Sequence, residues 1–424
     1  MVRKTIRLYT ILAVLMHCGI AGVYAVYVSF LLHKGLDILQ ICLVLSAYYW
    51  LLAPLECPTG AIADVYGRRT AVVLSNVFLI LSMLVFAFTG DMLGFVGAVA
   101  LKAIGRTYAN GALDSFLADR LDAAHASRLM PAVLKKTEVQ KTWWSLGVAF
   151  VGSGLADVYM ALPWIMSIGI FTGALIVAIG MREVRTHHAK FSFREGGEIL
   201  VNTVRAGLRH GREPYVLMIV VISAVFWLAT MTPNVLWQPY AKQWLPYESA
   251  LGVVWVGSSL AHLSGIWVAT KLKMRGLRSL VLFIAVVGTG IVCTGLFYPS
   301  PYLILIVYLV HQAARGPFDP EKKACLYRHV RNQDIRATVA SFVSMVQHIC
   351  AAIGLTLTGL VAHYVSMQKA FFISGLTMVV LSMIILTILG GKSDIAKMDR
   401  GGDDRRTGNR LARGFARARA NVSG

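Results

Sequence analysis

Charged side chains recur at four-residue intervals inside two otherwise apolar stretches of the chain. The two sets are Lys102, Arg106, Asn110 and Asp114 in the first half, and His311, Arg315 and Asp319 in the second. Residues four apart lie on one face of an α-helix, so each set predicts a polar stripe. Because an ionisable group is costly in apolar surroundings, we expect the stripes to face one another across a central cavity that contains water.

Ionisable groups in such a cavity are suited to proton transfer, because buried carboxylates have raised pKa values and histidines titrate near neutral pH. The candidates are Glu56, Asp114, His17, His311 and His348. A histidine in an apolar helix is also a common packing residue, and Asp319 can instead pair with Arg315 one helical turn earlier. Lys102, Arg106 and Arg315 together give the expected cavity an excess of positive charge, which would suit an anion.

Aromatic and amide side chains in other apolar stretches are candidates for contacts with an organic solute. They are Tyr24, Tyr27, Trp227, Asn234, Gln347 and His348. Trp227 and Gln347 lie near the middle of their stretches. They are better candidates than tryptophans at stretch ends, where this residue is enriched as a membrane-interface anchor.

The composition identifies the elements that must position these side chains. Of the 424 residues, 57% are hydrophobic and only 15% are charged, and the mean hydropathy is +0.64. A soluble chain of this length needs far more polar surface, so a soluble multidomain enzyme is excluded. The six cysteines lie in or at the ends of apolar stretches and indicate no disulfide framework. The chain is therefore predicted to be a multi-pass membrane protein.

The fold class predicted from hydropathy is all-α, with twelve transmembrane helices in two pseudo-symmetric six-helix bundles. A spanning helix needs about 20 mostly apolar residues. Twelve stretches qualify: 8–32, 38–60, 70–90, 93–117, 138–159, 161–181, 215–238, 250–270, 279–298, 302–321, 338–362 and 368–390. Arg106 and Arg315 fall in the fourth and tenth stretches, six helices apart, which supports an internal repeat. The predicted domains are a bundle at 1–181, a linker at 182–213, a bundle at 214–390 and a tail at 391–424.

Lysine and arginine predict how the chain lies in the membrane. Most of the 41 basic residues fall on one side if both termini are cytoplasmic, which predicts that orientation in the cytoplasmic (inner) membrane. The linker has apolar residues at near-helical spacing among arginines. This pattern predicts an amphipathic helix on the membrane surface, the alternative being a solvated linker helix. The basic, glycine-rich tail is predicted to be disordered, and aromatic residues do not alternate with its basic ones as they would in a nucleic-acid-binding segment.

One loop resembles the signature of a known family. The segment from Gly60 to Arg69, between the second and third stretches, reads G-A-I-A-D-V-Y-G-R-R. It is similar to the G-x-x-x-D-x-x-G-R-[KR] motif of the major facilitator superfamily. The longer segment from Glu56 to Gly60 and the stretch entering the eleventh helix resemble a prokaryotic twelve-helix subgroup that includes drug and tetracycline exporters.

The resemblance implies that this loop gates the cavity on the cytoplasmic side. Its matched residues are Gly60, Asp64, Gly67, Arg68 and Arg69, with Asp119 and Arg336 as expected partners. Asp64 can accept hydrogen bonds from the N-terminus of the eleventh helix, beside Arg336, because that helix end is positive. Arg68 can reach Asp119 at the cytoplasmic end of the fourth helix. The alternative is that these charges only set topology and loop rigidity.

Three functions remain open on the sequence alone. The first is a proton-coupled antiporter that exports a small amphipathic compound such as an antibiotic, and so confers resistance to it. The second is a transporter of an anionic metabolite, siderophore or sugar derivative, and the third is a lipid flippase or sensor. The chain has no nucleotide-binding, hydrolase or metalloprotease motif. We therefore expect no enzyme activity, no metal and no cofactor besides a proton gradient, and a monomer whose partners are a small-molecule substrate and membrane lipid, not nucleic acid.

Overall fold

The computed structural model describes residues 2–109, 111–181, 193–211, 213–297, 301–330 and 333–391. Within these ranges it leaves out the side chains of residues 56–66, 193–196, 199, 301–302, 304, 333–335, 337 and 390–391. The segment 182–192 and the predicted tail from residue 392 onward lie outside the described residues, as does Asn110.

The described chain forms twelve helical spans, three of them interrupted. The helices are α1 (Val2–Tyr24), α2 (Tyr27–His33), α3 (Ile38–Tyr66), α4 (Arg68–Phe88), α5 (Met92–Ala109), α6 (Ala112–Asp122), α7 (Met130–Val158), α8 (Leu162–Ile179), α9 (Phe193–Gly211), α10 (Pro214–Ala241), α11 (Glu248–Lys271), α12 (Leu277–Leu296), α13 (Pro301–Arg315), α14 (Phe318–His329), α15 (Gln333–Tyr364) and α16 (Met367–Gly391). The pairs α1–α2, α5–α6 and α13–α14 form the first, fourth and tenth spans, and α9 belongs to the linker. The prediction of two all-helical bundles of six spans is confirmed.

Nine helices of the described residues are long and apolar enough to cross a membrane. The other three spans are the fourth and tenth, which are divided by their breaks, and the fifth, whose first half carries charged residues. An integral, multi-pass membrane protein follows from this architecture.

The breaks in the fourth and tenth spans correct the two predicted polar stripes. Gly111 has a φ of 78° and separates α5 from α6, and Gly316 and Pro317 separate α13 from α14. Glycine supplies the left-handed conformation at the first break, and proline removes a backbone donor at the second. Asp114 and Asp319 therefore lie on helices other than those that carry the basic residues before them, and neither stripe is continuous.

The two bundles repeat one another in backbone detail. Gly67 precedes the third span with a φ of 93°, and Gly276 precedes the ninth with a φ of 91°. A Cβ atom on Gly152 of the fifth span would lie 2.0 Å from the carbonyl oxygen of Gly22 in the first span. The matching eleventh and seventh spans show the same close approach, with 2.2 Å from such an atom on Gly354 to the carbonyl oxygen of Leu228.

The bundles meet along two seams, where α3 packs against α15 and α7 packs against α11. The linker helix α9 also contacts α3 and α15, and Gly207 lies directly on the ring of Phe342. We call the side of the bundle that carries Val2 and Gly391 the terminal side, and the opposite side the distal side. Since the spans alternate in direction, the ends of α2, α7 and α10 and the start of α11 meet on the distal side.

Candidate functional site

A buried lysine surrounded by tyrosine rings lies at the middle of the first bundle. The Nζ atom of Lys102 lies 4.9 Å from the ring centre of Tyr27, 5.4 Å from that of Tyr48 and 5.6 Å from that of Tyr24. Only 7% of the lysine is exposed. The rings stabilise the ammonium group through cation–π attraction, in place of a carboxylate. Tyrosine rings of three helices thus surround this lysine.

A second cation, which is partly buried, lies in the other bundle at the end of α13. The guanidinium group of Arg315 donates a hydrogen bond to the side-chain oxygen of Asn234 on α10, and it lies 5.7 Å from the ring centre of Phe226. The backbone next to Arg315 packs closely on the eighth span. A Cβ atom added to Gly316 would lie only 2.1 Å from the carbonyl oxygen of His262. The predicted cavity residues Arg315 and Asn234 are thus brought together, and Asp319 bonds to Lys322 instead of Arg315.

Aromatic rings connect the two cations across the seam between α3 and α15. Tyr48, which contacts Lys102, lies 5.2 Å from Tyr49, measured between ring centres. Tyr49 in turn lies 6.4 Å from Trp227 and 5.9 Å from His348, both of the second bundle. The site therefore spans both bundles, and its walls are aromatic around two positive charges.

Several buried polar atoms in this region have no hydrogen-bond partner within the described residues. They include the hydroxyl group of Tyr27, the indole N–H of Trp227 and the side-chain nitrogen of Gln347. Gln347 is only 5% exposed. An unsatisfied buried donor costs roughly 1–3 kcal/mol, so such atoms indicate a group that water or a bound molecule completes. All three groups can donate a hydrogen bond, so they suit a solute that carries hydrogen-bond acceptors.

A second charged cluster lies in the first bundle, closer to the terminal side. His17, Arg106, Asp114 and Glu138 belong to three different spans and are exposed to solvent. The hydroxyl of Tyr9 donates a 2.7 Å hydrogen bond to Asp114, and Lys141 lies 2.6 Å from Glu138. Charged side chains of the first, fourth and fifth spans thus lie on this side of Lys102.

The distal side is closed by hydrogen bonds between the bundles. The side-chain oxygen of Gln238 accepts from the backbone N–H groups of Val28 (2.7 Å) and Ser29 (3.1 Å), and its nitrogen donates to the carbonyl of Tyr24 (2.9 Å). The hydroxyl of Ser29 donates to Glu248 at 2.9 Å.

Two further contacts complete the closed distal side. Lys242 lies 2.8 Å from the Glu248 carboxylate that the Ser29 hydroxyl also reaches. The carboxylate of Asp157 accepts from the first backbone N–H groups of α11, those of Glu248 and Ser249. These groups are named the distal gate: Tyr24, Val28, Ser29, Asp157, Gln238, Lys242 and Glu248.

The predicted gating loop is described in part. Arg68 lies 3.7 Å from Asp119, and Arg69 donates to the carbonyl of Ile179 at 2.8 Å. Arg336 lies 4.7 Å from the ring centre of Tyr327. The side chains of Glu56 and Asp64, and the surroundings of Gly60, lie outside the described residues. Gly67 adopts a backbone conformation that strongly favours glycine.

The remaining predicted histidine lies apart from the central site. His311 is buried, its Nδ1 atom lies 3.1 Å from the carbonyl of Tyr308 in its own helix, and its Cβ packs on Gly290 of the ninth span. His311 thus occupies the interface of the ninth and tenth spans. No cluster of three or more metal-binding side chains occurs among the described residues.

The sequence analysis missed five residues that belong to the cation site or to the charged cluster around Arg106. They are Tyr9, Tyr48, Tyr49, Glu138 and Lys141. The run from Tyr48 to Trp50 was a signal, because adjacent aromatics in one helix cannot all face lipid. Lys141 gave no such signal, because it lies near the start of the fifth predicted stretch, 138–159.

Comparison with solved structures identifies the fold. NupG, described as a nucleoside transporter, superposes with a TM-score of 0.75 at 13% identity, covering 92% of this chain and 100% of that one. A peptide transporter, POT, in complex with sulfate gives a TM-score of 0.73 at 15% identity, covering 94% and 96%. A POT family transporter in complex with 5-aminolevulinic acid gives 0.72 at 14% identity, covering 91% and 96%.

Neither a sequence-family profile nor a curated protein matches this chain by sequence. At identities this low, the structural likeness establishes the fold alone, which is the major facilitator fold. The subgroup suggested by the loop from Glu56 to Arg69 stays a prediction.

Proposed function

We propose that this protein is a secondary active transporter that works by alternating access. The observation that carries the proposal is the aromatic chain that joins Lys102 of the first bundle to Trp227 and His348 of the second. Hydrogen bonds of the distal gate hold the bundles together above this chain, and the exposed cluster around Arg106 lies below it. A site placed at the interface of two repeats is the arrangement that alternating access uses. By the distribution of basic residues, the terminal side is cytoplasmic and the distal gate faces outward.

The substrate that suits this site is a small amphipathic compound carrying a negative charge. Lys102 is buried and Arg315 is partly buried, and the carboxylates of Asp114 and Asp319 bond to Tyr9 and Lys322. An anion between the two cations offsets the cost of keeping them in the membrane. The rings of Tyr49 and Trp227 suit an apolar or aromatic body, and the donors of Trp227 and Gln347 suit its acceptor groups.

Solved relatives of this fold support the choice of a small charged solute. A peptide transporter was crystallised with sulfate, and a POT family transporter with 5-aminolevulinic acid. Sulfate is an anion, and 5-aminolevulinic acid has a carboxyl group. The same architecture therefore accommodates anionic groups.

Export coupled to proton entry is the transport cycle that we propose. Export is supported by the resemblance of the segment from Glu56 to Gly60, and of the stretch entering the eleventh span, to those of exporters. Asp114 is the proposed proton carrier, because it is exposed and is bonded to the first span by the Tyr9 hydroxyl. Protonation removes its charge and weakens that bond, since hydrogen bonds to a charged acceptor are the stronger ones.

The proposal is tested with purified protein in proteoliposomes. A panel of labelled aromatic carboxylates, each with its neutral amide, is offered under an imposed pH gradient, and an enclosed pH-sensitive dye reports proton movement. We expect saturable movement of at least one carboxylate and not of its amide, with proton flow in the opposite direction.

Two variants separate the claims within this proposal. Asp114→Asn is expected to abolish the proton signal and to leave exchange of unlabelled for labelled solute intact. Lys102→Gln is expected to abolish both. Movement of no solute in the panel contradicts the transporter, equal movement of carboxylate and amide contradicts the anionic substrate, and an unchanged proton signal in Asp114→Asn contradicts its role.

A further inference from the structure

The break in the first span is held open by one side chain of the other bundle. A helix start leaves its first N–H groups without partners, and a helix end leaves its last carbonyl groups without them. At this break the primary amide of Gln238 meets both needs: it accepts from Val28 and Ser29 at the start of α2 and donates to Tyr24 at the end of α1. Gln238 is 2% exposed, so water does not replace it.

The same break carries the tyrosines of the cation site. Tyr24 and Tyr27 flank it on either side, and both rings lie on Lys102. The backbone of this segment therefore faces the distal gate, whereas its side chains face the cation. The cation and the gate share a segment of six residues, from Tyr24 to Ser29.

We propose that Gln238 is a positioning residue that links the cation site to the distal gate. An anionic group of the substrate binds the ammonium of Lys102 and draws it away from the Tyr24 and Tyr27 rings. The segment between them is then free to close into a continuous helix, in which the backbone groups bond to one another instead of to Gln238. The bundles separate on the distal side, and the substrate's charge is the trigger. This inference rests on the proposed anionic substrate.

The hydrogen bonds at the break couple straightening of the first span to opening of the distal gate. If the halves parted without a change in the first span, the N–H groups of Val28 and Ser29 would be left without acceptors inside the protein, which is unfavourable. Closing the break supplies those acceptors, so straightening and gate opening favour each other. The rest of α2 stays with the first bundle, because Phe30 stacks on Trp164 with ring centres 3.7 Å apart. Gln238 is therefore the side chain that moves away from the break when the bundles separate.

Amide hydrogen exchange tests the link without a transport assay. The full protein is placed in lipid nanodiscs, and exchange is followed by mass spectrometry at residues 25–33 and 247–252, which cover both sides of the gate. The variant Lys102→Gln removes the ammonium from the rings, as a bound anion would. Lys271→Gln is the matched control, because this lysine also lies over an aromatic ring, that of Trp267 at 5.8 Å, but at the terminal side.

We expect Lys102→Gln to speed exchange at least tenfold in both segments and Lys271→Gln to change it less than twofold. Lys102→Arg retains a cation over the rings and is expected to keep exchange slow. Millimolar 4-phenylbutyrate is expected to speed exchange in the wild type but not in Lys102→Gln, and 4-phenylbutyramide to do nothing. Unchanged exchange in Lys102→Gln, or acceleration confined to residues 25–33, overturns the link.

The anion trigger and the proposed function fail in different ways. No acceleration by 4-phenylbutyrate in the wild type overturns the trigger even if Lys102→Gln opens the gate. Transport of an anion with unchanged exchange in Lys102→Gln overturns the link alone. Fast exchange in Lys102→Gln without transport of any solute removes the proposed function and leaves the link between cation and gate.

Discussion

Gly67 and Gly276 both combine a positive φ with an extended ψ at the starts of the third and ninth spans, with φ of 93° and 91°. They lie six spans apart, on the terminal side, and each is followed by a basic segment. The N–H group of Gly276 also donates to Glu321, in the first turn of α14, at 2.7 Å. Arg68, next to Gly67, lies 3.7 Å from Asp119, near the end of α6. In each bundle, an acidic residue of the second half of the broken span thus contacts the start of α4 or α12.

Replacing either glycine with alanine is expected to destabilise the protein. A residue with a Cβ atom costs about 1–3 kcal/mol in this region, which is essentially restricted to glycine. Gly67→Ala and Gly276→Ala should each lower the midpoint of thermal unfolding in detergent. Gly97→Ala is the control, since nothing lies within 4 Å of its added Cβ atom and its position is helical. That control should be neutral or stabilising, and equal effects of all three variants would contradict the conformational argument.

Arg315 and Asn234 are expected to act as one unit in substrate binding. Arg315→Lys loses the planar guanidinium group that bonds to Asn234, and Asn234→Ala loses its acceptor. Each change should lower kcat/KM for uptake of an anionic solute about tenfold, and the double variant should be no worse than either. Arg278→Lys, on the exposed start of α12, is the control. Additive losses in the double-mutant cycle would show that the two residues act independently.

The pair of Lys242 and Glu248 is expected to stabilise the closed distal gate. Lys242→Met leaves the Glu248 carboxylate buried with only the Ser29 hydroxyl, and an uncompensated buried charge is strongly unfavourable. Spin labels at Gly90 and Tyr247, one on each bundle at the distal side, report the opening. We expect a second, longer distance in Lys242→Met. Adding Glu248→Gln removes the stranded charge and should restore the short distance, and failure to restore it would contradict the electrostatic explanation.

The unpaired donors of Trp227 and Gln347 are expected to lower the stability of the protein and to strengthen its binding of the solute. Their buried N–H groups cost free energy in the empty protein and recover it only when a solute accepts from them. Trp227→Phe and Gln347→Met should therefore leave the unfolding midpoint unchanged or raise it, while raising KM about five- to tenfold. A raised KM accompanied by a lowered unfolding midpoint would instead indicate a packing role.

The spans were predictable because a membrane demands about 20 apolar residues from each helix, whatever its neighbours are. Two of the three breaks carry a local signal, Gly111 in one and Gly316 with Pro317 in the other. The break at the first span has neither residue, because its cause is Gln238, more than two hundred positions later in the chain. A hydrogen-bond partner in the other bundle cannot be recognised from the residues next to the break.

Of the candidate site, the sequence alone identified single residues, most clearly the charged ones. Lys102 and Arg315 stand out because a charge at that depth in the membrane is energetically unfavourable, so it usually faces a partner or water. Their surroundings did not follow from spacing: Lys102 meets three tyrosines of other helices, and Arg315 meets Asn234 instead of Asp319. Spacing describes one helix at a time, whereas these contacts depend on how the helices rotate and where they break.

Counterflow of a labelled amphipathic carboxylate in proteoliposomes tests the central claim most directly. Vesicles loaded with unlabelled 4-phenylbutyrate, or with whichever carboxylate the solute panel selects, are diluted into a trace of the labelled compound. A carrier whose single site alternates between sides accumulates label transiently above its external concentration. We predict that overshoot for the wild type and for Lys271→Gln, and its absence in Lys102→Gln. Simple equilibration of label without overshoot, or an overshoot that persists in Lys102→Gln, would contradict the account.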